Sequence, residues 1–404
     1  MTVLGMRWVP AAMAAGVLLA ACSPTPDEPG AGADVRAVAN VGDPLPGLTP
    51  DELARFEAGK AAFSRIFTPE DGLGPVYNEN SCNACHSDPS VGGAGGEEYD
   101  VHATYQAEDG SCDLLDAHGG GNIRTQVIPV AAALGVGREY SPPEANQKGV
   151  FTAPPMWGRG LVEAIPDATL EALADPDDAD GDGISGRVGR NADGAVGRFR
   201  RKADVKDLQD IAEGGVLVEF GLTTPTNPRD LVFSVDVLPE GADPAPDPEL
   251  DQATIDAIAD FIRFLAPPPR NMPTDPAELT RVKVGEERFH QVGCAACHVP
   301  TLTTGPNAVA ALDGKAAPLY SDLLLHDMGP DRGNVCSPAA SPSEFRTEIL
   351  MGLALRTRYM YDGAAPTLWE AIALHGGEGA ASVAAFNALP ELERHAVVAF
   401  LLSL

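Results

Sequence analysis

The sequence predicts a mainly α fold of two similar helical units with irregular, loop-rich insertions. A pattern E-L-x-R-x-x-x-G-x-x-x-F occurs at Glu52, Leu53, Arg55, Gly59 and Phe63, and again at Glu278, Leu279, Arg281, Gly285 and Phe289. Each copy stands ahead of a C-x-x-C-H segment, Cys82-Asn83-Ala84-Cys85-His86 and Cys294-Ala295-Ala296-Cys297-His298. Between them Ile255, Ile258, Phe261, Ile262 and Leu265 recur at helical spacing and stop at Pro267-Pro268-Pro269. Coincidence between two amphipathic helices is the alternative, but matches in register ahead of one motif favour duplication.

From the N-terminus, Met1 to Ala21 holds a single Arg7 and an apolar run from Val9, too short and Ala-rich for a membrane span. It ends in Leu19-Ala20-Ala21-Cys22, which resembles a bacterial lipobox with Cys22 as the lipidated first residue; ordinary signal cleavage is the alternative. Ser23 after that Cys fits release to the outer membrane. The expected division is a signal at 1–22, a flexible Pro/Gly/Asp/Ala tether at 23–47 and an N-terminal unit with insertions at 48–266. A Pro-rich linker at 267–275 and a C-terminal unit at 276–404 follow.

Both units open on a helix start with proline in the first turn. Thr49 and Glu52 have capping-box spacing, and Asp275 and Glu278 come close to it. Gly59 and Gly285 lie mid-helix, where glycine costs about 1 kcal/mol, so their recurrence predicts a close helix crossing. The Gly-rich stretch from Gly92 to Gly121 reads as loop, and Glu391 to Leu404 as a closing terminal helix.

Composition excludes some classes. The 404 residues are 44% hydrophobic, enough for two or three globular units, and no second long apolar run exists. A net charge of −30 argues against nucleic acid and anionic lipid surfaces and would steer a cationic partner, such as a basic redox protein.

In C-x-x-C-H the two thiols can add across the vinyl groups of one haem while the histidine meets the iron. Two copies behind an export signal imply two covalent haem c groups. A zinc site or redox dithiol is the alternative, but further Cys or His ligands are not close by. With Cys22 and the motif thiols assigned, Cys112 and Cys336 remain and most simply pair; the sequence leaves open whether they meet.

Further ligands are candidates. Thr367 to Glu370 opens a short helix that ends at His375-Gly376-Gly377, and His375 could face the second iron or be a surface histidine at a helix end. His102, shortly after the first motif, could cap the first iron or sit in a loop. Glu163, alone in the apolar run Leu161 to Ile165, suggests a partly buried carboxyl able to shuttle a proton; a salt bridge to Arg159 or another base is the alternative. Asp178, Asp180 and Asp182 have calcium-loop spacing, yet Gly189 stands where the bidentate Glu belongs, so a solvated turn competes.

From about Leu48 to its end the chain resembles the bacterial dihaem c-type oxidoreductases, relatives of the dihaem cytochrome c peroxidases. Besides the motifs, the resembling stretches are Gly160 to Asp167, Asp178 to Gly186, Leu323 to Gly329 and Tyr361 to Ile372. The resemblance implies two cytochrome c-like haem domains, with His375 at the position of the C-terminal haem's second ligand. Met is common there in relatives, Met328 and Met360 are the fallbacks, and Tyr361 replaces the usual His of the preceding turn. It also implies a loop histidine at His102 and a calcium near the domain interface. Trp157, close before Glu163, could relay electrons between haems or be an aromatic core residue. The expected activity is transfer from the C-terminal to the N-terminal haem, with peroxide or another small oxidant reduced there. A small redox protein would be donor, and the site would be the periplasmic face of the envelope. A non-catalytic dihaem carrier, and oxidative modification of an organic or protein substrate, are the alternatives.

Overall fold

The structure is a computed structural model that describes residues 39–96, 99–116 and 121–404; the expected signal, Cys22 and most of the expected tether lie outside them. α1 (Pro50–Phe63) begins at a complete capping box, in which Thr49 accepts from the Glu52 N–H and Glu52 accepts from the Thr49 N–H. α2 (Cys82–Cys85) is a single turn. An antiparallel sheet follows, with β1 (Tyr99–Gln106) bordered by β2 (Cys112–Asp113), β3 (Gly121–Asn122) and β4 (Gln147–Thr152). This corrects the expectation of loop between Gly92 and Gly121. β1 is held along its length by β4, from Tyr99 opposite Thr152 to Thr104 opposite Gln147, a distant partner that no local pattern announces.

The remaining elements used below are α3 (Arg159–Glu163), α4 (Leu208–Phe220), α5 (Gln252–Phe264) and α6 (Pro276–Gln291). The hairpin β5 (Leu325–Asp327) with β6 (Glu344–Arg346) precedes α7 (Leu368–Ala373) and α8 (Glu391–Leu401). The fold is thus helices plus small antiparallel sheets. Among the described residues no helix is long and apolar enough to cross a membrane.

The duplicated pattern does the same work twice. α1 packs on α5 and α6 packs on α8. A Cβ on Gly59 would collide with the Ala257 carbonyl oxygen, and one on Gly285 with that of Ala396, so glycine lets each backbone pair touch. Phe63 then meets Phe261 with ring centroids 4.9 Å apart, and Phe289 meets Phe400 at 5.3 Å. The same two phenylalanines reach the motif histidines, His86 at 6.1 Å and His298 at 6.4 Å. Sequence repeat and spatial repeat therefore coincide at glycine, phenylalanine and histidine.

Two apolar cores follow from these crossings. The larger gathers Phe56, Trp157, Leu161 and Phe261, and it includes Leu323 and Ile349 from the second half of the chain. The smaller holds Val282, Phe289, Val397 and Phe400. Pro267 and Pro268 are buried beside Gly158 and Gly352 respectively.

Cys112 and Cys336 do meet in a disulfide, with Cα atoms 5.9 Å apart and 224 residues between them in sequence. It ties the β1 sheet to the segment before β6. Cys112→Ser with Cys336→Ser should lower unfolding free energy by about 2–4 kcal/mol, read as a lower denaturant midpoint. A midpoint equal to that of the oxidised wild type would show the bond to be energetically idle.

Candidate functional site

α2 ends at His86, whose Nδ1 lies 2.9 Å from the Pro154 carbonyl oxygen. A carbonyl only accepts, so Nδ1 carries the proton and Nε2 keeps its lone pair. The second motif forms a single 3-10 turn, Cys294–Ala296, after Gly293 at φ 87°, and His298 Nδ1 lies 2.9 Å from the Tyr320 carbonyl oxygen. Burial lowers the pKa of each of these histidines to about 4, so both are neutral imidazoles at neutral pH, the form that binds a metal. The thiols of Cys82, Cys85, Cys294 and Cys297 are free of disulfides.

α7 delivers His375, whose Nδ1 lies 2.7 Å from the Ala371 carbonyl oxygen, which again leaves Nε2 unprotonated. The His298 and His375 ring centroids are 6.3 Å apart. Two imidazoles on opposite sides of one metal, each bonded at about 2 Å, place their centroids about 6 Å apart. Around them opens a cavity walled by Phe289, Leu353, Leu368, Ile372, Phe386 and Val397. Cys294 and Cys297 are on its wall, as are Met328 and Met360. A haem fits this donor set: paired thiols, two neutral imidazoles with free Nε2 and an apolar wall.

A family model described as "Di-haem oxidoreductase, putative peroxidase" matches residues 144–404, more than half of the chain. The chain belongs to the di-haem oxidoreductases. The family implies haem as cofactor. No curated protein matches the chain. Among solved structures it is similar to a hydrazine synthase of Kuenenia stuttgartiensis, at 14% identity and a TM-score of 0.43, over 99% of this chain and 100% of that one.

The other sequence-derived candidates of this di-haem oxidoreductase fall in varied places. His102 sits on β1 with its ring edge-on to Phe151, centroids 5.2 Å apart. Among the described residues no ring contact like that of His298 and His375 joins His102 to His86. Burial, then Arg201 and Arg200, hold its pKa well below the usual histidine value. Glu163 accepts from Arg263 Nε at 2.6 Å and from the Leu208 N–H at 2.9 Å. Its carboxylate therefore ties α3 to α4 and α5, the salt-bridge alternative, with Arg263 rather than Arg159 as partner. Trp157 is core, its indole N–H donating to the Met351 carbonyl at 3.3 Å. The ligand atoms of Asp178, Asp180 and Asp182 lie within 4.8 Å of one another. Their loop runs into Ser185, whose N–H and hydroxyl both donate to Glu378, three positions beyond His375.

Sequence reasoning passed over several groups. Glu219 on α4 is half-buried near Cys82, and Asn78 Nδ2 donates to it at 3.2 Å, with Asn122 Nδ2 on its other oxygen. Burial, then neighbouring Asp100, push its carboxyl up to about 8, so it holds a proton at neutral pH. His326, on β5, is gripped by Asp322 at 2.8 Å and Glu378 at 2.7 Å. Burial opposes charge on its ring, yet the hydrogen bonds to Asp322, Cys297 and Glu378 push it up to about 12, so it is an imidazolium beside the second motif.

Glu348 is met by Arg159, Arg346 and Arg356. Burial works to raise its pKa, but the three guanidiniums outweigh it and hold the carboxyl down to about 2, against 4.5 ordinarily. An unfolded chain takes up this proton first. The stability is therefore present above pH 4.5 and lost as pH falls towards about 2. Acid should remove about 3 kcal/mol at most through this group. Denaturant midpoints below pH 4.5 should fall less steeply in Glu348→Gln than in wild type; equal slopes would remove Glu348 from the acid response.

Proposed function

We propose that this chain is an exported, lipid-anchored dihaem c-type oxidoreductase built of two cytochrome c-like units, which passes electrons from its C-terminal to its N-terminal site and reduces peroxide there. The observation that carries the reading is the facing pair His298 and His375 at 6.3 Å, with no such ring partner for His86 among the described residues. When bound, haem would supply one-electron transfer at the second site and a place for a small oxidant at the first.

The chain's own residues divide the work. His298 and His375 would both hold the haem of the second site, which would then leave no position for substrate there. At the first site His86 takes one side. Near Cys82, Glu219 keeps a proton on its half-buried carboxyl, hydrogen-bonded to Asn78 and Asn122. Reduction of peroxide to two waters consumes two electrons and two protons, so a held proton belongs on that side. The four motif cysteines would attach the two haems covalently. Asp178, Asp180 and Asp182 would hold a calcium ion on the loop that reaches Glu378.

The net charge of −30 suits a cationic small redox protein as electron donor. Lipid on Cys22 would place the protein on the periplasmic face of the envelope, at the outer membrane. Absorption spectra of the purified holoprotein with and without peroxide test the reading. A high-spin component that reacts with peroxide and turns over a reduced donor is expected. Two low-spin haems inert to peroxide would leave only an electron carrier.

A further inference from the structure

The charges beside the second cavity do not balance. Arg346 donates to Glu348 at 2.6 Å and Arg159 does so at 3.1 Å, while Arg356 stands 3.7 Å away. Arg159 and Arg346 are 5% and 2% exposed. Their remaining bonds go to neutral backbone carbonyls: Arg159 to Pro155, Arg346 to Arg200 and Thr347, and Arg356 to Ile349 and Met351. Arg356 Nε finds no acceptor among the described residues. Asp322, the next carboxylate felt by Arg346, is already bonded to His326. Three guanidiniums thus share one carboxylate, and burying the two surplus charges without counter-ions is costly. Arg346, Glu348 and Arg356 line the cavity that also holds His298 and His375.

We propose that Arg346 and Arg356 on the cavity wall, held apart by Glu348 and backed by the buried Arg159, form a seat for a pair of carboxylates, the propionates of the haem in the second site. The inference rests on the dihaem reading. Two carboxylates neutralise the surplus, and the planar fork of arginine matches carboxylate geometry where lysine would not. Glu348 acts as the positioning residue: it fixes three like-charged side chains in one cluster before the cofactor arrives.

The test is a spectroelectrochemical titration of the holoprotein in wild type, Arg356→Gln, Arg356→Lys and Glu348→Gln, each first checked for two covalent haems. Loss of a positive charge beside the haem favours the ferric state. Arg356→Gln should therefore move the potential of the low-spin haem down, Arg356→Lys should leave it nearer wild type, and Glu348→Gln should move it up. Damage to the fold would move Arg356→Gln and Glu348→Gln the same way, and that result, or unmoved potentials, overturns the inference. Acetate serves as the second arm. Acetate that shifts the wild-type haem spectrum, with the response gone in Arg356→Gln, would mean a site open to free carboxylates and not a propionate seat. A wild-type chain that carries no covalent haem would sink the dihaem reading itself, a failure distinct from the others.

Discussion

In His375→Ala both haems should remain covalently bound while the second iron gains high-spin character and a higher potential, and added imidazole should restore the low-spin spectrum. The reason is local. His375 is held at the end of α7 by its bond to the Ala371 carbonyl, so its Nε2 is free and its ring stands 6.3 Å from that of His298. Removal of the side chain leaves one axial direction with no imidazole, and replacing a second histidine by water weakens the ferric state. Cys294 and Cys297, which would attach the haem, are untouched, so loss of haem is not expected. An unchanged low-spin spectrum would assign the ligand elsewhere, to Met328 or Met360 on the same cavity wall.

Gly285→Val should cost about 3 kcal/mol, the upper end for overpacking, and lower the melting temperature by roughly 6–12 °C. A Cβ there falls on the Ala396 carbonyl oxygen and against the Phe400 Cβ, so α6 and α8 must separate. Separation would loosen Phe289 from Phe400 and from His298, coupling the stability loss to the haem environment. Gly215 is the control: it lies on α4, and nothing stands within 4 Å of an added Cβ. Gly215→Ala should stabilise by about 0.5–1 kcal/mol through helix propensity alone. Equal effects at the two glycines, measured by thermal melting, would show that the crossing tolerates a side chain and that the repeat at Gly59 and Gly285 has another origin.

Legibility in the sequence followed the range of the interaction. The capping box at Thr49, the crossing glycines and the C-x-x-C-H turns are local patterns, and each reads directly from spacing. Strand β1 was hidden because its stability comes from β4, forty-odd residues on. Two half-buried glutamates show the same limit from another side. Glu163 and Glu219 both stand alone in apolar runs, and the local signal is identical. Tertiary packing then gives Glu163 a hydrogen-bonded arginine from α5, and gives Glu219 hydrogen bonds from amides and a neighbouring second carboxyl that outweighs the more distant Arg200. The arginine cluster at Glu348 draws on Arg159 and on residues of β6 and beyond, so no window of sequence contains it.

On the proposed function each C-x-x-C-H motif carries a covalent haem. Intact mass and the pyridine haemochrome spectrum of the chain, purified from an exporting host that matures c-type cytochromes, test it most directly. The expected result is a polypeptide heavier by two haems, with a c-type spectrum and with Cys82, Cys85, Cys294 and Cys297 all resistant to alkylation. A polypeptide at its bare mass, with those four thiols open to alkylation, would contradict it.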